Sequence, residues 1–150
     1  MQLMETNNVL TLEMVRIHSG SATRDQAMQE AADLLVAAGA VTPAYFAAMQ
    51  DRERTVSTFM GNGLAIPHGT NDAKDAVLGS ALTFVRYDGG VDWDGQRATF
   101  VFGIAGKGGE HLEILSQIAI LFSDDTEVEK LRAAPTPDAL FTLVVDAGAA

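Results

Sequence analysis

Two runs rich in β-branched, aliphatic and aromatic residues, Ser80 to Tyr87 and Thr99 to Ala105, stand between stretches whose apolar residues recur at helical spacing. The runs read as strands, separated by a turn at Asp88-Gly89-Gly90 and a further polar loop through Asp94-Gly95, and together they predict a sheet. Upstream, Thr23 with Gln26 three residues later is a capping-box signal. Ala27, Ala31, Leu34, Leu35 and Ala38 then keep helical spacing until Gly39 ends a core-facing helix. Thr42-Pro43 predicts a second helix, with a threonine cap and proline at the first position. This helix carries Phe46 and Met49 inward and ends near Arg52 to Arg54. The run Thr55 to Met60 reads as extended, and a glycine-rich turn leads through Leu64 to Ile66 into His68. Downstream, Gly106-Lys107-Gly108-Gly109 breaks the chain before a helix starting at about Glu110, with Leu112, Leu115, Ile118, Ala119 and Phe122 as its apolar stripe. Asp124 or Asp125 caps a short helix, Thr136-Pro137 caps the last one, and the tail from Ala147 to Ala150 is expected to fray. Strands and helices mixed in this order imply an α/β domain in which helices cover both faces of a sheet.

The 150 residues suit one compact domain, because a chain of this length can bury roughly 70% of its unfolded surface. No internal repeat, low-complexity tract or long linker marks a boundary, so residues 1–150 are expected to form a single domain. The chain has no cysteine, which removes disulfides, thiolate metal sites and a cysteine nucleophile together. Neither a signal peptide nor an apolar run of membrane-spanning length stands out, so the expected setting is soluble and cytoplasmic. The net charge of −10 argues against a nucleic-acid partner and against docking on an anionic membrane, although a local basic pocket remains compatible with it.

The stretch Gly61-Asn62-Gly63-Leu64-Ala65-Ile66-Pro67-His68-Gly69-Thr70 displays one histidine on a turn just after an apolar strand. Pro67 fixes the backbone before it, and Gly61, Gly63 and Gly69 are read as letting an anionic group or a partner surface come close. A neutral imidazole there can act as a nucleophile and form a phosphoramidate, but spacing alone also fits a residue that only binds or packs. His111, beside a glycine-rich turn at a helix start, could bind an anion with the free N–H groups there. Arg52 ends the second helix, where the helix dipole alone favours a cation. With His68 its guanidinium could also grip a phosphoryl group. His18, in the turn with Ser19-Gly20, is given no role. The run Gly103 to Gly109 lacks the Gly-Lys-Ser/Thr ending of a nucleotide-binding loop. No His-Glu-x-x-His or carboxylate cluster offers a metal cage, and only a convergence of His68 and His111 with a carboxylate would make one.

Taken together, these residues resemble the enzyme IIA domain of the mannitol/fructose class in the bacterial phosphoenolpyruvate-dependent sugar phosphotransferase system. The resemblance rests on Ala65-Ile66-Pro67-His68-Gly69 within the stretch from Ser57 to Thr70, on Ala48 to Glu53, on Leu34-Leu35-Val36 with Gly39-Ala40-Val41, and on Gly103 to Leu112. The Gly-Lys-Gly and Glu-His-Leu pieces of that last segment are similar to the mannitol branch. The resemblance implies a three-layer α/β/α sandwich with a mixed sheet. It implies that His68 accepts a phosphoryl group from the phosphohistidine of the carrier protein HPr and passes it to a cysteine of an enzyme IIB domain. It also implies that Arg52 and His111 stabilise the phosphoryl group and that no metal or cofactor takes part. Two other readings are kept beside it. One is a regulatory module whose phosphorylation state controls another protein, and the other is a His-ligated metal hydrolase.

Overall fold

The computed structural model describes residues 9–149 apart from Asn71. Among these, six strands form one mixed sheet: β1 (Val15–His18), β2 (Ala22–Thr23), β3 (Phe59–Gly61), β4 (Leu64–Ala65), β5 (Ala81–Trp93) and β6 (Gln96–Ala105). Five helices flank it: α1 (Arg24–Ala37), α2 (Tyr45–Thr55), α3 (Glu110–Phe122), α4 (Asp125–Ala133) and α5 (Pro137–Ala149). The sheet order is β1-β5-β6-β4-β3, with β2 also paired to β5. β5 and β6 are antiparallel, while β1 and β2 run parallel to β5 and β4 runs parallel to β6.

The β5–β6 hairpin turns at Asp94-Gly95, where both residues have positive φ (56° and 88°), the backbone twist that suits a two-residue hairpin. The turn expected at Asp88-Gly89-Gly90 is instead an irregularity inside β5, where the ladder to β6 shifts between Arg86 and Val91. Its cause is a crossing chain. The link between β1 and β2 lies against this point, with the Gly89 N–H bonded to the Gly20 carbonyl at 3.0 Å. A Cβ on Gly89 would stand 2.5 Å from the Gly20 carbonyl carbon. The glycines therefore let two short strands pair in succession with one long one.

Strand alternation divides the core. Phe84, Phe100 and Phe102 project from one face, with Phe84 and Phe102 stacked at 4.1 Å and Phe122 of α3 set edge-on to Phe100 and Phe102. On the opposite face the site of Gly103 is filled by Ala31 of α1, and a Cβ there would meet the Ala31 Cβ and the Thr83 hydroxyl at 2.6 Å each. Ala31, Ala32, Leu35, Tyr45, Ala48 and Met49 join α1 to α2 in a second cluster. Helices α3 to α5 cover the phenylalanine face, giving an α/β/α sandwich.

Most end signals stand where the sequence puts them. Thr23 and Gln26 make the capping box of α1, Asp124 caps α4 by accepting from Thr126 and Glu127, and Thr136 accepts from the Ala139 N–H above Pro137. Helix α2 departs from expectation by starting at Tyr45, with Ala44 as a cap that makes no side-chain bond. The Thr42 N–H is drawn to the Ala76 carbonyl, beside a bridge from Val41 to Val77, so Thr42 to Ala44 form a turn docked on the neighbouring loop. The segment read as extended from Thr55 is helical at Thr55, and only Phe59–Gly61 pair as a strand. In α3 the buried face is Ile114, Ile118, Leu121 and Phe122, so the expected stripe holds at Ile118 and Phe122, with Leu115 partly buried, and fails at Leu112 and Ala119. Leu112 is 64% exposed, and Ala119 also faces outward. This helix is apolar over most of its circumference, so the reach of Phe122 to the sheet, rather than periodicity, selects the face. Helix α5 runs to Ala149 across much of the tail expected to fray, and Ala150 lies outside the described residues.

One buried carboxylate ties these layers near the end of α2. Glu53, only 5% exposed, accepts from the Thr58 N–H (2.9 Å) and hydroxyl (2.6 Å) and from the Trp93 indole N–H (2.8 Å). Burial opposes its ionisation, but hydrogen bonds from Thr58, Trp93 and Ser57 outweigh burial and hold the carboxyl below the ordinary glutamate range. The stability contributed by the ionised form is fully present above about pH 4.3, the unfolded glutamate value, and is lost as pH falls through the depressed folded value. Glu53→Gln is expected to cost about 1–2 kcal/mol at neutral pH, or about 2–8 °C in melting temperature. Thermal melts from pH 7 to pH 3 should show the gap to the wild type closing as the medium is acidified. A gap that widens towards acid contradicts the assignment.

Candidate functional site

β4 leaves the sheet through Ile66-Pro67, and the chain stays alongside β6 for one more step. The Ile104 N–H bonds the Pro67 carbonyl at 3.2 Å, placing His68 in a parallel bridge with Ile104. The His68 Nδ1 lies 2.8 Å from the Ile66 carbonyl oxygen. An acceptor at that distance requires Nδ1 to carry the proton, which leaves the lone pair on Nε2. The next residue is also held: the Gly69 N–H donates to the Tyr45 Oη at 2.8 Å, and that hydroxyl donates to the Ile104 carbonyl at 2.7 Å.

β6 positions the second histidine as well. After Ala105 the chain turns at Gly106, where a Cβ would lie 2.2 Å from the His111 nitrogen and 2.4 Å from its Cβ, so only glycine fits. Gly108 and Gly109 follow with positive φ (65° and 86°), and α3 begins at Glu110. His111 thus stands in the first turn of α3, where N–H groups have no partner within the helix. A cavity of about 700 Å³ opens between these pieces, lined by Tyr45, His68 and His111 together with Lys74, Lys107 and the glycines of the 106–109 turn. On a chain of net charge −10 this is a local basic hollow.

Arg52 is placed differently. Its guanidinium donates to the Val56 carbonyl at 2.6 Å, closing the end of α2, and it is not among the residues lining the cavity. Its charge still reaches His68. Burial is the main cause that lowers the His68 pKa, and the charges of Arg52 and His111 lower it further, against the opposing pulls of the Ile66 carbonyl and Glu53. The lowered pKa favours the neutral imidazole of His68 at neutral pH. The structure brings His68 and His111 to one cavity and sets Arg52 within electrostatic range of His68.

Several readings of the glycines change. Gly61 and Gly63, both with positive φ, form the β3–β4 hairpin with Asn62, whose amide donates to the Phe122 carbonyl at the far end of α3 from His111. They shape the opposite end of β4 and open nothing at His68. Gly69 is a glycine because of Tyr45, since a Cβ would stand 2.6 Å from the ring Cε1. His18 is bound elsewhere: its Nε2 meets Glu30 at 2.8 Å, in a cluster with Tyr87 and Arg16. Sequence reasoning missed Tyr45 and Lys74, and met Glu53 and Lys107 only as members of longer motifs, without a role of their own. A signal existed for Tyr45, which shares a helical face with Ala48, Met49 and Arg52 at spacings of three, four and seven residues.

Among the described residues no three His, Cys, Asp or Glu side chains come together to hold a metal ion, and no helix is long and apolar enough to cross a membrane. A family model described as "Phosphoenolpyruvate-dependent sugar phosphotransferase system, EIIA 2" matches residues 8–146. The mannitol-specific phosphotransferase enzyme IIA component of Staphylococcus aureus is 50% identical over 127 residues, covering 85% of this chain and 88% of its own length. The crystal structure of IIA mannitol from Escherichia coli superposes with a TM-score of 0.81 at 33% identity, covering 90% of this chain and 98% of that one. The enzyme IIA chain solved in complex with phosphorylated enzyme IIB of the Escherichia coli mannitol system gives a TM-score of 0.83 at 32% identity over 91% and 97%. With a histidine-bearing strand end and a helix-start histidine facing one basic cavity of this sandwich, the chain belongs to the EIIA 2 family of the phosphoenolpyruvate-dependent sugar phosphotransferase system.

Proposed function

We propose that this protein is the phosphocarrier IIA component of a mannitol-type sugar phosphotransferase system and that His68 carries the phosphoryl group. The observation that supports this most is the His68 ring itself. Its Nδ1–H is committed to the Ile66 carbonyl, its Nε2 has no partner among the described residues, and burial keeps it neutral beside a cationic hollow. The donor is the phosphohistidine of HPr. The Nε2 lone pair attacks phosphorus, the P–N bond of the donor breaks, and its electron pair returns to the donor imidazole. In the second step a cysteine thiolate of enzyme IIB attacks the same phosphorus and the bond to Nε2 breaks. This chain contains no cysteine, so the acceptor thiol belongs to a different polypeptide or domain.

Both steps move a group bearing about −1.5 to −2 charges, and no proton has to be relayed through a metal or cofactor. His111, at the positive end of the α3 dipole, and the lysines of the cavity supply a positive field on one side. Arg52 supplies charge from the end of α2 and can turn its planar fork to the phosphoryl oxygens. The mannitol assignment rests on the named relatives. The sugar itself never needs to reach this chain, because the group is handed on through enzyme IIB.

Incubation with enzyme I, HPr and phosphoenolpyruvate should place one acid-labile phosphate on the wild type and none on His68→Ala. Arg52→Ala and His111→Ala should still accept it, about 10- to 100-fold more slowly. Onward transfer to a mannitol-type enzyme IIB distinguishes carrier from regulator, and phosphate that stays on the chain in that partner's presence removes the transport reading. The pH profile gives an independent check. Protonation takes up the Nε2 lone pair, so the rate should stay flat as pH falls past about 6.5, the ordinary histidine value, and drop only below it. A half-maximal rate at or above that pH contradicts the neutral, buried nucleophile.

A further inference from the structure

His68 lies on a strand extension in which half of the ladder is made by a side chain. A parallel bridge has two rungs. The first is direct, from the Ile104 N–H to the Pro67 carbonyl. The second, which in a regular ladder joins the Gly69 N–H to the Ile104 carbonyl, runs here through a phenol: Gly69 N–H to Tyr45 Oη at 2.8 Å, then Tyr45 O–H to the Ile104 oxygen at 2.7 Å. Tyr45 comes from α2, packs with Ala48 and Met49 in the core between α1 and α2, and is 4% exposed. Its ring fills the space that a side chain at position 69 would need.

Resting on the reading of His68 as the phosphoryl acceptor, we propose that Tyr45 is a positioning residue whose hydroxyl spaces the Gly69 peptide from Ile104 and thereby sets the direction in which His68 presents Nε2. The residue before His68 is restrained by Pro67 and by the direct rung, and the ring is restrained by the Ile66 carbonyl. The residue after it is a glycine, whose backbone freedom is wide, and Tyr45 is the group that bonds its N–H. Two hydrogen bonds in series hold Gly69 and Ile104 farther apart than a direct rung of about 2.9 Å. Without the hydroxyl, the two polar groups either lose their partners or close on each other, and closure drags the His68 backbone inward on the order of an ångström. A shift of about 1 Å at a reacting atom can cost about 100-fold in rate. Burial pushes the phenol pKa up, so Tyr45 keeps the proton it donates throughout the working range of the site.

Tyr45→Phe retains the ring against Gly69 and removes only the hydroxyl. With phosphorylated HPr as donor, kcat for phosphoryl acceptance is expected to fall about 10- to 100-fold while KM stays within about twofold, because the docking surface is untouched. The ring-nitrogen NMR titration of His68 should shift with it. Val144→Ala, a core truncation in α5 on the opposite side of the sheet, serves as the stability control and should keep its kcat. An unchanged kcat in Tyr45→Phe, or equal losses in Tyr45→Phe and Val144→Ala, overturns the positioning role. So does an unprotected Gly69 amide in hydrogen exchange of the wild-type protein, a measurement that needs no variant. His68→Ala is run in parallel: phosphate on that variant sinks the acceptor assignment itself, whereas its absence together with a normal Tyr45→Phe sinks only the inference about Tyr45.

Discussion

The C-terminal end of β6 is the constraint on which the rest of the site depends. At Ile104 its backbone accepts the His68 segment as a last step of parallel pairing. Two residues later Gly106 turns the chain so tightly that His111 packs where a side chain would be. One strand end therefore places both histidines, and it is rigid because β6 is central, paired with β5 on one side and β4 on the other. The Phe84, Phe100 and Phe102 cluster on one face and the Gly103–Ala31 contact on the other fix its height between the helical layers. On the proposed reading, side chains mounted on such a frame would keep their geometry while phosphorus is transferred between protein groups and little else changes.

Electrostatically the site runs against the molecule that carries it. The chain as a whole repels anions, yet Lys74, Lys107, His111 and the turn before α3 line one hollow, and the charge of Arg52 is felt at His68. Burial first, and the charges of Arg52 and His111 after it, favour the neutral form of His68, and on the proposed reading the same charges would stabilise the phosphoryl group after transfer. Burial contributes to the first effect and not to the second. As the leading cause of the lowered pKa at His68, burial makes the walls of the cleft the first determinant of its neutral form.

The sequence made legible what is encoded locally. The capping box at Thr23, the Asp124 and Thr136-Pro137 caps, the apolar runs of β5 and β6, and the two histidines at a turn and a helix start each depend on a few adjacent residues. What escaped depends on distant partners. β1 and β2 are too short to show a period, and the glycines in β5 read as a turn because the strand link crossing them is nearly seventy residues upstream. The buried face of α3 was set by a phenylalanine cluster drawn from three elements, and the start of α2 by a hydrogen bond to Ala76. The site divides the same way. His68 and His111 were visible as residues, whereas Tyr45, Glu53 and the reason for Gly69 emerge only when α2 is laid against β6.

Arg52 shows why a carrier site differs from a trap. One N–H of its guanidinium is bonded to the Val56 carbonyl at the end of its own helix, which tethers the group there and leaves its other N–H donors for phosphoryl oxygens. A fully free arginine aimed at Nε2 would hold the phosphoryl group more tightly and slow its departure by the same free energy. On the proposed reading the group must leave as readily as it arrives, and interactions that stabilise the bound state more than the transition state lower the onward rate. Holding the guanidinium at electrostatic range, tethered through one N–H, keeps its charge available when the phosphorus is between partners without committing it to the intermediate. The cavity histidine and the dipole of α3 follow the same logic, adding a distributed field rather than a closed cage.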